Sequence, residues 1–533
     1  GGGRRRVSQR RYWARRAMVL GIFLAFVVGI ASVAMYFYLG SLIHHRTVNG
    51  LQSAGASENI LLVGSTTRCG LKHQDRHYGL CSLGVTGVNS DVTMIVHLDP
   101  STGKVALLSI PRDLFVPNAR VEGANKIDAA LYQGPSQLVS AIEEDFGIPI
   151  NHFVELNFDS FASVVDAIGG VWMYFPRPIY DAESFLNVRS IGCHYLNGYH
   201  ALQVVRARHL QIKPIGGSNN HSTWPQEAQS DLARIRRTHE FLRVLAAAVA
   251  AKGIGNPSTD LDLATSVLPN LTVDQTFSEN HMLSLAETFA TVSIGNVPQL
   301  TYPVLIDLMN GYQYKGGSYG DVAFPIQPGG FETIDQVFGT TANRSTWDGR
   351  VLPSPSSFSV AVLNGTGIAH QASVVADALR LRGYTISSTG DRTPVGPLAE
   401  TVVWYGGPPP PRSGAWVNPA LGAAERVVEQ LQGPVIMGYN PEAVAPGATV
   451  TIQTGSDLSM SPSDPTTTTT TTTTHPTSTT TPSSSTTQPV TATTVPDVPG
   501  VATDNRFSAP SATAQPLEPW DPRACNASHT GPA

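Results

Sequence analysis

Five short blocks of this chain bring carboxylates, guanidiniums and a lysine to strand ends and loops. They are Ser90-Asp91, Ser109-Ile110-Pro111-Arg112-Asp113, Asn125-Lys126-Ile127-Asp128, Val205-Arg206-Ala207-Arg208-His209 and Asp231-Leu232-Ala233-Arg234-Ile235-Arg236-Arg237. In an extended segment Arg206 and Arg208 point to one face. Arg234 and Arg237, three apart on a helix, share another. Several guanidinium forks suit a pyrophosphate, because each fork binds phosphoryl oxygens bidentately. A carboxylate at a strand start, Asp91, suits Mg²⁺, which bridges and neutralises the same oxygens. Against this stands the ordinary reading: an Arg-rich helix is usually a solvated face, and a lone R-x-R carries little weight.

Other motifs add little. Gly316-Gly317-Ser318-Tyr319-Gly320 matches the G-x-S-x-G of serine hydrolases, but that elbow needs a strand before it and a helix after it, and the flanks lack the helix. There is no Walker loop, no H-E-x-x-H and no dinucleotide fingerprint.

The blocks need a scaffold, and alternating strand and helix signals supply one. Strands are predicted over 59–64, 91–98, 104–110, 152–158 and 171–175. Helices are predicted over 135–147, over 159–170 with an Asp cap and a Gly stop, and over 230–253. This alternation predicts an α/β fold with a mixed central sheet covered by helices, running to about residue 340. A smaller α/β module follows, with a strand and turn over 359–367, a helix at 369–383 and a strand at 401–405. The domain reading is a basic tail (1–16), an anchor (17–43), a stalk (44–57), the main domain (58–340), a linker (341–357), the second module (358–456) and a Thr/Ser/Pro-rich tail (457–533). That tail has too little apolar surface to offset its ordering entropy and is expected to be disordered.

The 27 residues from Ala17 to Ile43 are apolar almost without interruption, enough to span a bilayer as one transmembrane helix. Seven of the first sixteen residues are Arg, so the positive-inside rule leaves the N-terminus in the cytoplasm and the rest outside. A cleaved signal peptide is the rival reading, but the apolar run is too long for it. The whole chain carries −5, and the residues after the Arg block carry −12. A protein built to grip nucleic acid does not read this way. Cys69 and Cys81 flank a short polar loop; they are free thiols or, as the topology favours, a disulfide. Cys193 and Cys525 have no evident partners.

Taken in order, these blocks resemble the LytR-CpsA-Psr family of envelope glycopolymer transferases over roughly residues 58 to 340. The resemblance rests on Asn59-ILLVGS-Ser65, Ser90-DVTMI-Ile95, Ser109-IPRD-Asp113, Asn125-KIDAAL-Leu131, Phe158-DSFASVVDAIGGV-Val171, Gly192-CHYLNGYHALQVVRARH-His209 and Asp231-LARIRRTHEF-Phe241. Val360-AVLNGTG-Gly367 resembles the LytR C-terminal domain often appended to it.

The resemblance implies an Mg²⁺-dependent phosphotransferase that joins a polyprenyl-pyrophosphate-linked glycan to a peptidoglycan hydroxyl. By motif, Asp91 would ligand the metal, while Arg68, Arg112, Lys126, Arg206, Arg208 and Arg234 would hold the pyrophosphate. Asp113 would orient Arg112 or act as a base. The lipid tail would lie in an apolar channel near Phe158 and Phe161. Three positions depart from the family pattern: Thr66 for an Asp, Asn89 for an Arg and Thr238 for a Gln. Either the site is rebuilt, with Asp75 a candidate, or the protein is a binding or scaffold protein with reduced catalysis.

Overall fold

The computed structural model describes residues 40–69, 71, 79–228, 230–252, 265–289, 292, 297–307, 311–341, 343–392, 399–411, 415–460 and 516–533. The expected anchor lies outside these residues apart from 40–43, as does Asp75. Among the described residues no helix is long and apolar enough to cross a membrane.

The chain divides into two compact units, one made of Gly1–Arg112, Ile150–Gln299 and Gln515–Ala533, the other of Asp113–Pro149 and Leu300–Ala514. In the first, a mixed sheet runs His44–Arg46, Thr272–Asp274, His152–Leu156, Glu58–Ser65, Ser90–Asp99, Lys104–Ile110. Its register explains its core. Phe153, Leu61, Ile95 and Leu108 face one another across four strands, and all four are fully buried. Such cross-strand apolar rows are the unit of sheet stabilisation.

The helices Phe158–Ala167 and Gly198–Arg206 pack closely, and Gly198 is what permits it. A Cβ there would stand 2.1 Å from the Ala162 carbonyl oxygen. The first of these helices is capped by Asn157, whose Oδ1 accepts from the Ser160 amide at 2.9 Å. The predicted Asp cap is therefore displaced by two residues: Asp159 sits in the first turn.

A second, three-stranded sheet in this unit places Val171–Phe175 between Gly192–Leu196 and Arg523–Ala524. Here the expectation of a disordered tail fails at its far end. Cys193 and Cys525, unpaired in the sequence reading, form a disulfide with Cα atoms 6.0 Å apart. The polar expectation for the helix Ser230–Ala251 fails beside it. Arg236 donates from Nε to Asp521 at 2.5 Å and from Nη2 to Glu227 at 3.0 Å. Arg237, fully buried, bonds Glu227 and, at 2.7 Å, the Ala207 carbonyl. Two guanidiniums and two carboxylates thus neutralise one another, and the tail is held because it supplies one of the carboxylates. Cys69 and Cys81 form the expected disulfide.

The second unit is built on an eight-stranded sheet running Val304–Asp307, Val322–Gln327, Leu431–Tyr439, Thr401–Tyr405, Val450–Thr454, Ser359–Asn364, Thr385–Asp391, with Ser459–Met460 paired to Leu431–Tyr439. Ile326 and Gln327 pair with Pro434 and Gly433. Residues 113–149 fall in this compact unit. Asn118 donates to the Tyr439 carbonyl at 2.8 Å and accepts from its amide at 3.0 Å. Tyr405 donates to the Glu144 carbonyl at 2.9 Å. Gly317-Ser318 forms one arm of a short hairpin with Gln313-Tyr314, which rules out a nucleophile elbow at Ser318.

Candidate active site

In the first unit, strand register gathers the charged blocks. Ser65 lies opposite Ser90, and Thr93 opposite Ile110, so the segments carrying Arg68, Asp91 and Arg112 leave the sheet at one end. Arg112 donates from Nη1 to Asp91 Oδ1. Both side chains keep about a fifth of their surface exposed, at 19% and 22%. Arg68 donates to the Thr66 carbonyl at 2.8 Å. Burial lowers its pKa, Asp91 opposes that, and Arg112 adds to it; a guanidinium remains charged regardless.

The other arginines arrive on helices. Arg206 ends the helix Gly198–Arg206, so 205–209 is not the extended segment expected. The Arg206 guanidinium lies 4.5 Å from the centroid of the Phe158 ring, and Arg68 lies 5.8 Å from the same centroid. One aromatic ring thereby neighbours two cations, which ring quadrupoles favour. Arg208 instead approaches Asp231 Oδ1 at 3.5 Å. Arg234 donates to that oxygen from Nη2 at 2.8 Å and Nε at 3.0 Å. Asp91, Ser109, Arg234 and Thr238 line one narrow crevice. Arg237 does not share it, being bound in the buried ionic cluster.

Asp231 and the stacking role of Phe158 escaped the sequence reading. The first had a readable signal, an i,i+3 spacing to Arg234. The second had none, since Phe158 and Arg206 meet only through tertiary packing. Phe161 packs 5.5 Å from Phe241 against the core. Beneath the crevice, Ser109 Oγ lies 2.7 Å from His239 Nε2.

Asp113 and Lys126 belong to the second unit, where they form an ion pair at 2.9 Å. Asp91 is a carboxylate that the structure sets on Arg112. Of the departures, Thr66 and Asn89 face each other. The Thr66 amide donates to the Asn89 carbonyl and its hydroxyl accepts from the Asn89 amide, both at 2.9 Å. Thr238 turns its hydroxyl back onto the Arg234 carbonyl at 2.9 Å.

Residues 40–323, more than half of the chain, match the model of the LytR_cpsA_psr family. The chain belongs to the LytR-CpsA-Psr family. Residues 357–458 match a second model, the LytR cell envelope-related transcriptional attenuator. Among curated proteins, the Corynebacterium glutamicum "Probable cell wall biosynthesis protein LcpB" is 32% identical over 45% of this chain and 58% of its own length. The Oceanobacillus iheyensis "Polyisoprenyl-teichoic acid--peptidoglycan teichoic acid transferase TagU" is 28% identical over 41% of this chain and 63% of its own. Both matches span less than two thirds of those relatives. A solved LytR-Csp2A-Psr enzyme from Actinomyces oris aligns over 49% of this chain and 88% of its own at 24% identity and TM-score 0.40; the family assignment rests on sequence.

Proposed function

We propose that this LytR-CpsA-Psr protein is a phosphotransferase that moves a glycan from a polyprenyl pyrophosphate to a peptidoglycan hydroxyl. The observation that carries the reading is the cluster of Arg68, Arg112, Arg206, Arg208 and Arg234 around two carboxylates at one end of a sheet. The transferase named among its relatives supports the substrate class.

In this reaction the acceptor oxygen attacks the glycan-bearing phosphorus. The bond to the bridging oxygen breaks, polyprenyl phosphate leaves, and the hydroxyl proton passes to solvent or a nearby base. The chain's part is positioning and charge neutralisation. Arg206, held over Phe158, and Arg208 with Arg234, braced by Asp231, present donors to phosphoryl oxygens. Arg112 is aimed by Asp91. For Mg²⁺ the donor set fits a shared site and not a closed cage: Asp91 would offer a carboxylate, and phosphate oxygens and water would supply the other ligands. The ion, when bound, neutralises charge developing on the pyrophosphate.

The apolar run 17–43 behind its Arg block supports a single-pass membrane location with the catalytic domain outside the cytoplasm. Two disulfides, stable only in an oxidising compartment, support the same reading. A second reading, binding without turnover, is favoured by Thr66 standing where the family carries a carboxylate.

The test is incubation of the purified protein with a polyprenyl-pyrophosphate glycan, Mg²⁺ and peptidoglycan acceptor. Release of polyprenyl phosphate with a new phosphodiester supports the transferase; tight binding without release supports the second reading. Arg206→Ala and Arg208→Ala should each weaken lipid binding about ten- to a hundredfold, the loss of a charge-assisted hydrogen bond. Unchanged binding in both refutes the site.

A further inference from the structure

Seven residue steps back along the Glu58–Ser65 strand, roughly 23 Å from the arginine end at strand rise, three other side chains converge. Glu58 opens that strand, His152 opens the parallel strand beside it, and His281 lies in the helix Glu279–Phe289. One ligand atom from each lies within 4.8 Å of the others. Glu58 and His152 are buried, while His281 keeps a third of its side chain exposed, at 34%. His281 Nε2 is 2.7 Å from Glu58 Oε2.

The surroundings fix the imidazole of His152 as they do for a metal ligand. Its Nδ1 lies 3.1 Å from Asp274 Oδ2, which also accepts the Phe153 amide at 3.0 Å. With the Phe153 amide already on Oδ2, the partner of Nδ1 is an acceptor, so Nδ1 donates and Nε2 keeps its lone pair. The Phe277 ring stacks on His152 at 4.1 Å and 16°, which fixes the ring plane. A carboxylate behind the imidazole, setting tautomer and orientation, is the usual support of a metal-bound histidine. The charges also close: Glu58 and Asp274 together balance one dication.

We propose that Glu58, His152 and His281 bind a divalent cation of the zinc class, with water in the fourth position on the exposed His281 side. Two imidazoles and a carboxylate are a Zn²⁺ donor set, whereas Mg²⁺ takes oxygen ligands and retains water. At metal–ligand distances of about 2.0–2.2 Å, the direct His281–Glu58 contact opens to admit the ion. The ion clips the helix Glu279–Phe289 to two strand starts. The same region receives the strand that follows the apolar run, since His45 Nδ1 lies 3.1 Å from the Asp274 carbonyl and its Nε2 lies 3.8 Å from Glu279. The site is independent of the arginine cluster and of the proposed transfer.

The test uses the full chain, free of any histidine tag and stripped with chelator, titrated with Zn²⁺ by calorimetry and with Co²⁺ by visible absorption. One equivalent should bind, with the absorption of four-coordinate Co²⁺, undisturbed by a hundredfold excess of Mg²⁺. His281→Gln and Glu58→Gln should each weaken binding at least tenfold, and His370→Gln, in the second unit, should not. Zn²⁺ should raise the thermal midpoint of the parent and leave that of His281→Gln unmoved, a readout that a plain His–Glu hydrogen bond cannot produce. Absence of binding, displacement by Mg²⁺, or full affinity in both ligand variants overturns the proposal.

Discussion

Replacing Asp521 with Ala removes one carboxylate from a site that holds two guanidiniums and two carboxylates. None of the four side chains is more than 8% exposed. The substitution leaves one uncompensated buried positive charge between Arg236 and Arg237, shared with Glu227 alone. It also strips the Glu518 amide of its acceptor, which lies 2.8 Å away. Removing one partner of a buried pair costs about 3–5 kcal/mol. For a unit of this size that corresponds to a fall of roughly 6–20 °C in the first unit's thermal midpoint. Differential scanning calorimetry of the oxidised protein reads it, with hydrogen exchange at 523–524 assigning the transition. The control is Asp377→Ala, which breaks a pair whose side chains are 51% and 59% exposed and should cost less than about 1 kcal/mol. Equal effects of the two substitutions would refute the claim that the ionic cluster holds the C-terminal segment.

The two units should respond to pH with opposite signs. Burial, with Lys104 and Arg243 respectively adding to it, lowers His97 and His239 from 6.5 to about 4. The first unit's stability is therefore full above pH 6.5 and falls towards pH 4, by on the order of 3 kcal/mol per histidine. Burial raises Glu144 and Glu425 from 4.5 to about 8, so the second unit is stabilised below pH 4.5 and loses that stability as pH rises through 8. Calorimetry at pH 5 and pH 8 should move the two transitions in opposite directions, and parallel movement contradicts the assignment. Glu425→Gln should raise the second transition at pH 8 and leave it nearly unchanged at pH 4. Mg²⁺ or Mn²⁺ should bind the parent weakly alone and far better with a pyrophosphate lipid analogue. Thr66→Asp should strengthen the binding seen without lipid; indifference of the lipid-dependent binding to Asp91→Ala would remove the metal from Asp91.

Local chemistry was legible in the sequence where the signal was local. The strands Lys104–Ile110, Val171–Phe175 and Thr401–Tyr405 fall where alternation and turn residues put them, and Gly147 ends its helix in the left-handed conformation. Asp91 and Arg112 could be paired once two strands were known to share an end. What escaped depends on contacts far apart in the chain. Cys193 meets Cys525 across 332 residues, and no periodicity reports that. Arg236 and Arg237 read as solvent-facing because their counterions, Glu227 and Asp521, lie outside the helix. The segment 113–149 carries motif residues of the main domain, yet Asn118 and Glu144 are hydrogen-bonded to Tyr439 and Tyr405. Asn118 gives no sign of that in its neighbours.

The disulfide between Cys193 and Cys525 changes what kind of object the second family module is. By sequence it looks like an appendage that a stop codon could remove. By covalent connectivity it is an insertion within a closed ring of polypeptide that begins and ends in the first unit. A single peptide cleavage anywhere between residues 461 and 515 therefore releases nothing: both fragments stay joined until a reductant opens Cys193–Cys525. A truncation before Asp521 does more than shorten the chain. It deprives the first unit of an edge strand, a cross-link and the counterion of a buried arginine, so a defect in such a truncation is no measure of what the second module does.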